Sequence, residues 1–230
     1  MPQIVSIPEP ACEPLGDSGL LLKWADADDA VAESAVHAAR RCLASAADLS
    51  VTGLVPGWCT LAVLFNPLLV TAEDLEVRVR DALRRAGLEE SSAHSVVRIP
   101  VSFRSDCAMD LPDVARACGV SAASCIELLT VTEFRVRMIG FAPGFPYLAG
   151  LPESLHLPRR ATPRVSVPAG SLAIAGGLAG IYPQSSPGGW HVVGRALVPL
   201  FSPQQTPACL LQPGDRVQLF AVDEREELEG

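Results

Sequence analysis

Apolar positions keep helical spacing or strand alternation along the first part of the chain, and both rhythms break off after Ile139. From Ile4 to about Ser92 strand-like and helix-like runs take turns. Gly19 to Trp24 is a short apolar run of strand length. Asp26 to Asp29 then place carboxylates at a helix start, and Val31, Ala35, Ala38, Ala39, Cys42, Leu43 and Ala46 follow at helical spacing. A strand is predicted across Cys59 to Phe65, turned by Asn66-Pro67. Thr71, with Asp74 three residues on, forms a capping box for a helix over 72–86, and Gly87 stands where that helix would end. This part reads as a small α+β domain over 1–92, and Ser91, Ser92, Ala93 and His94 read as a link.

The remaining 93–230 opens with a strand over Val96 to Phe103. A short helix is predicted around Pro112 to Cys118, closed by Gly119, and a second one after Ser121 as N-cap. Phe134, Val136 and Met138 alternate with Arg135 and Arg137, which predicts a half-buried strand with the arginines on its outer face. Residues 140–194 then hold 8 of the 20 prolines and 10 of the 18 glycines, so helices cannot persist there. Short strands at Val165 to Val167, Ser171 to Ala175, His191 to Val193 and Arg216 to Phe220, separated by turns, predict a β-barrel or sandwich. No internal repeat is found, and the acidic tail DEREELE reads as a solvated end.

Composition narrows the function. At 49% hydrophobic and 19% charged residues the chain reads as folded and soluble, with a core of small aliphatics. A formal charge of −8 and the lack of a basic run argue against nucleic acid as a partner. The seven cysteines are scattered, with no C-x-x-C pair and no metal-ligand spacing to the four histidines. They read as reduced thiols in a cytoplasmic protein, and no metal is expected. MPQIVSIPEP lacks the features of an export signal, and no apolar run is long enough to cross a bilayer, so no membrane partner is expected.

Two features carry the chemistry. Residues 165–194 contain no Asp, Glu, Lys or Arg, so that stretch presents backbone amides and hydroxyls. Between Phe134 and Gly214, six arginines (Arg135, Arg137, Arg159, Arg160, Arg164 and Arg195) face one acid, Glu153. Arginine forks clasp a carboxylate or phosphate in paired bonds, and glycine-lined N–H groups add to such a cradle. For Arg159, Arg160 and Arg164 both a ligand clasp and an ordinary surface loop remain open. FAPGFPYLAGLP sets Phe145 and Tyr147 in a loop stiffened by Pro143 and Pro146, a form suited to a pocket wall. SSPGGWH adds the Ser185 and Ser186 hydroxyls, the close-approach backbone of Gly188 and Gly189, and His191 as a candidate proton-transfer group. Phosphate-loop, nucleophile-elbow, H-E-x-x-H and dinucleotide signatures do not occur, which points to a partner protein for the missing parts.

The blocks GFAPGFPYLAGLP, LPRRATPRVSVPAGSLAIAGG and GIYPQSSPGGWHVVGR resemble the allophanate hydrolase subunit 1 family. That family includes the B-type component of the bacterial ATP-dependent 5-oxoprolinase, the sporulation kinase inhibitor KipI, and the matching half of the carboxyltransferase domain of urea carboxylase. The match is dense over 139–195 and looser upstream, where GDSGLLL at 16–22 fits. The resemblance implies a cyclophilin-like β-barrel after the small α+β domain, and pairing with a homologous C-type component, an allophanate hydrolase subunit 2-like protein. A third, lactam-utilisation subunit would complete an enzyme that opens 5-oxoproline to L-glutamate, with ATP consumed by the complex and bound with or by a partner. On this reading His191 and Arg164 are the catalytic residues, and Arg159, Arg195, Phe145, Tyr147, Gly176, Gly177, Ser186, Gly188 and Gly189 meet a small carboxylate or amide substrate. The alternatives are a KipI-like inhibitor of a sensor histidine kinase and a carboxyltransferase half of a urea carboxylase or allophanate system. The family pattern has GGQTG where this chain has GGLAG, GRT where it has Gly194-Arg195-Ala196, and a His-Thr pair at Leu129-Thr130. Four polar groups are thus replaced by Leu129, Leu178, Ala179 and Ala196, with altered specificity or lost activity as the expected consequence.

Overall fold

The computed structural model describes residues 5–24, 29–46, 48–85, 87–88 and 96–222; the carboxylates at 26–28, the link at 91–94 and the acidic tail lie outside them. The chain splits into two compact units, Met1–Ala93 and His94–Gly230.

The first unit contains β1 (Val5–Ser6), β2 (Ala11–Pro14), β3 (Gly19–Lys23), α1 (Asp29–Ser45), β4 (Val51–Pro56), β5 (Thr60–Phe65), α2 (Ala72–Arg85) and β6 (Gly87–Leu88). Four of these strands form an antiparallel sheet in the order β2-β3-β5-β4, and β1 pairs with β6. Leu20, Leu22, Leu61 and Val63 on the central strands meet Ala35, Ala39 and Leu43 of α1 and Leu75, Val79 and Leu83 of α2 in one core. Small alanines let α1 lie close on the sheet. Its buried stripe is turned from the expected one, since Ala32 and Val36 are buried and Val31 is exposed. The Thr71 hydroxyl accepts from the Asp74 amide at 3.1 Å and so caps α2. α2 ends at Arg85, just before Gly87 as expected, and Gly87 pairs with Ser6 as part of β6.

The second unit contains β7 (Val96–Ser102), α3 (Leu111–Cys118), α4 (Ala122–Val131), β8 (Glu133–Ile139), β9 (Pro146–Ala149), β10 (Arg164–Val167), β11 (Ser171–Ala175), β12 (Leu178–Ile181), β13 (Ser186–Gly188), β14 (His191–Ala196) and β15 (Arg216–Ala221). Seven of them close a barrel in the order β11-β12-β9-β8-β15-β7-β14, parallel only between β15 and β7, while β10 and β13 form a separate ribbon. Ile99, Phe134, Leu148, Leu172, Ile181, Val193 and Leu219, one from each barrel strand, fill the interior. Leu111 and Val114 of α3 and Cys125 and Leu129 of α4 join the same cluster. Gly119 closes α3 at φ 69, and the Ser121 hydroxyl caps α4 by accepting from the Ser124 amide. Among the described residues no single helix is long and apolar enough to cross a membrane.

One strand departs from its expected alternation. β8 is bulged between Val136 and Met138, so Arg137 is buried at 8% exposure while Arg135 stays outside. A bulge shifts the side-chain parity by one, which no count along the sequence reveals.

Candidate functional site

Strand alternation gives the barrel wall a second apolar face. Leu172 and Ile174 point inward, whereas Ala173 and Ala175 of the same strand join Phe145, Val167, Tyr182, Trp190 and Val192 in a separate cluster outside the barrel. The rings make a continuous edge-to-face set in which Phe145 meets Phe141, Tyr147, Tyr182 and Trp190 at centroid distances of 5.1–5.7 Å. Phe145 does not face a ligand as its stiff loop suggests; it is 2% exposed and acts as the hub on which the others lean. Phe141 and Tyr147 are the more accessible members. Phe141 is 63% exposed and held at φ 68 by a tight loop in which the Ala142 amide donates to Gly140 and the Phe145 amide to Ala142. Gly144, at φ 80, completes that loop where a Cβ would lie 2.7 Å from Phe201.

The arginines do not form one cradle. Asp110, 3% exposed and placed at the N-cap of α3, turns its carboxylate away from the helix. It accepts two bonds from Arg164, one from Arg160 and one from the Val192 amide, all at 2.7 Å. The Asp110 amide donates in return to Val192 at 2.8 Å. Burial pushes the Asp110 carboxyl up, but the Arg164 and Val192 bonds and the two positive charges outweigh it and hold the group below its usual range. Arg164, the expected catalytic clasp, thus has both terminal nitrogens engaged, and Arg160 is tied to the same acid. No local signal marks Asp110: fifty residues upstream, before a Leu-Pro helix start, it reads as an ordinary cap.

Arg159 is different. It is exposed, and its guanidinium makes no hydrogen bond or ion pair among the described residues. Its charge is felt by Tyr147 and Tyr182, whose phenols are raised by burial and drawn back by Arg159. The same loop meets the strand bearing His191, because the Arg160 amide donates to Gly189 at 2.8 Å and His191 Nε2 lies 2.9 Å from the Pro158 carbonyl. A carbonyl only accepts, so Nε2 carries the proton and Nδ1 is the nitrogen left open in the neutral ring. Arg195 stands elsewhere on the outer face, on β14 between Ser102 and Ser171.

The glycine blocks mostly build structure. Gly176 and Gly177 are the two-residue turn between β11 and β12, with Ala175 opposite Leu178, and the 178–180 backbone pairs with β11 and β9. The expected pocket lining is therefore occupied by the sheet, because LAGI forms a strand whose glycine hides its pattern. Gly177 packs beneath the His156 ring. Gly188 passes over Tyr182, whose hydroxyl would be 2.2 Å from a Cβ, and Gly189 lies against Pro163. Ser185 bonds Ser166 across the β10–β13 ribbon at 2.8 Å, whereas Ser186 Oγ is enclosed with no partner among the described residues. Of the four replaced polar positions, Leu129, Ala179 and Ala196 are at most 5% exposed in the barrel core, and Leu178 packs beside the aromatic cluster. In this protein they serve packing, so their apolar character does not imply a missing ligand contact.

Known proteins are similar to this chain in sequence and fold. The family described as carboxyltransferase domain, subdomain C and D, matches residues 10–211. The B-type component of the 5-oxoprolinase of Bacillus subtilis (strain 168) is 32% identical over 224 residues, covering 93% of this chain and 93% of that protein. The crystal structure of TTHA0988 superimposes with a TM-score of 0.78 at 34% identity over 89% of this chain, which spans 40% of that protein. The K. lactis urea amidolyase shares the fold, with a TM-score of 0.74 at 17% identity over 98% of this chain and 16% of its own length.

Proposed function

The chain belongs to the carboxyltransferase subdomain C and D family, and from that premise we propose that it is the B-type component of an ATP-dependent 5-oxoprolinase. In this reading it works with a homologous barrel protein and a third, lactam-utilisation subunit in the cytoplasm, and the complex opens 5-oxoproline to L-glutamate. The observation that carries the reading is Arg159, an uncommitted guanidinium whose charge reaches the half-buried Tyr147 and the buried Tyr182, on a face where Asp110 has neutralised its neighbours. The B. subtilis relative, matched over 93% of its length, supplies the reaction class.

Arg159 takes the substrate carboxylate, a charge-assisted contact that orients the ring. Phe141 and Tyr147 form an apolar wall against the methylenes. His191, fixed by the Pro158 carbonyl, offers Nδ1 to a proton moving at the amide. Arg164 acts indirectly, by holding the 158–164 loop against β14 through Asp110. ATP supplies the driving force when the complex is assembled. We assign the nucleotide to a partner, since the chain carries no phosphate-loop motif.

Reconstitution with the two partner proteins, followed by glutamate formation from 5-oxoproline, tests the proposal. The wild-type chain is expected to be required for turnover, and Arg159→Ala with His191→Ala to abolish most of it. Full turnover by an Arg164→Ala, His191→Ala double variant refutes both the proton-transfer role of His191 and the loop-holding role of Arg164. Co-purification with a histidine kinase and no lactam opening would favour the regulatory alternative instead.

A further inference from the structure

Arg195 sits in a polar row that the proposed activity does not use. In the barrel wall its Cα partners are Ser171 on β11 and Ser102 on β7, so the three side chains emerge on the same outer face of three adjacent strands. The parity agrees, since Leu172, Val101 and Ala196, each one residue away, belong to the interior cluster. Both serines are buried, Ser102 at 1% exposure and Ser171 at 2%. The arginine stem lies over Gly170, where a Cβ would be 3.1 Å from Cγ, so the glycine makes room for it.

Arg195 Nε is enclosed with no hydrogen-bond partner among the described residues, and the enclosed Ser102 Oγ meets only the Cys107 thiol. An enclosed donor left unmade costs roughly 1–3 kcal/mol, more when charged. The neighbouring thiol, Cys107, feels both groups but is a weak acceptor, and burial pushes its pKa up, keeping it a neutral thiol. Arg195 Nε can only donate. The group that satisfies it is therefore an acceptor, and a negatively charged one gains the guanidinium as well.

We propose that Arg195, Ser102 and Ser171 form an oxyanion-binding site on the outer wall of the barrel, taking a phosphoryl or carboxylate group. It stands on this geometry alone and holds whether or not the chain belongs to an oxoprolinase. Three donors from three strands suit the several oxygens of a tetrahedral anion. The row also differs from the Arg159 face, where the accompanying groups are aromatic rings.

Calorimetric titration of the full chain with inorganic phosphate, and in a second arm with acetate, tests the site. One phosphate per chain is expected. Arg195→Gln should weaken binding about 10- to 100-fold, Arg195→Lys less, and Ser102→Ala about 5-fold. Stronger binding of acetate than phosphate would assign the site to carboxylates. Equal phosphate binding by wild type and Arg195→Gln, or none by wild type at millimolar phosphate, overturns the proposal. Retained melting temperature in the variants separates loss of a donor from loss of fold. Because no turnover is measured, this outcome is independent of whether the reconstituted complex opens a lactam.

Discussion

Arg164, at the start of β10, and Arg159, five residues before it, have opposite situations. Arg164 is drawn into a buried pair with Asp110 and a strand amide, while Arg159 projects with no partner among the described residues. The difference teaches that a local surplus of arginine is not yet an anion site. One acid from a distant helix start absorbs two guanidiniums, and only those it does not reach remain available to a ligand. Arg160 goes with Arg164, and Arg195, shielded among serines, goes with Arg159.

Removing the acid is the strongest way to break that contrast. Asp110→Ala leaves two guanidiniums and the Val192 amide uncompensated at a buried position, and the loss expected in denaturant unfolding is about 3–5 kcal/mol. A loss under about 1 kcal/mol would mean the pair is a surface contact after all. Next in size, Arg159→Ala should lower turnover of the reconstituted complex about 10- to 100-fold, the worth of one charge-assisted bond. Its unfolding free energy should move by no more than about 0.5 kcal/mol, whereas Arg164→Ala should cost stability. Equal melting temperatures for the two variants would erase the distinction.

Gly188→Ala probes the same face through packing. The added methyl meets the Tyr182 hydroxyl inside a filled aromatic cluster, and about 1–3 kcal/mol of destabilisation is expected in thermal unfolding. A neutral result would show that the ring can move aside. The smallest effect concerns acid. Because Asp110 is held below its ordinary value of 3.8 in the folded state, its contribution is present above that pH and is lost as pH falls through the lower folded value. Asp110→Asn should therefore be less stable at neutral pH and show a flatter decline below about pH 4, read from denaturation midpoints across pH; parallel curves would exclude the linkage.

Much of the fold was legible along the chain. The short strand at Ser171 to Ala175, the Ser121 cap and the Gly119 stop rest on local rules, and the structure follows them. LAGI and PYLA escaped because glycine and proline mask strand character, and their strand state is imposed by neighbours on both sides. The bulge at Arg137 escaped for a related reason, since parity is set by the partner strand.

By itself, the sequence determined that an acidic chain gathers its glycines from residue 140 onward and sets six arginines against one acid between Phe134 and Gly214, and it carried the blocks that place it in its family. Only the tertiary structure decided which guanidiniums are spent on Asp110, that Phe145 is a hub and not a wall, and that Arg195 stands between two buried serines. Charge and composition add up along a chain, but the pairing of charges depends on contacts between residues fifty or more positions apart, and those exist only once the barrel has closed.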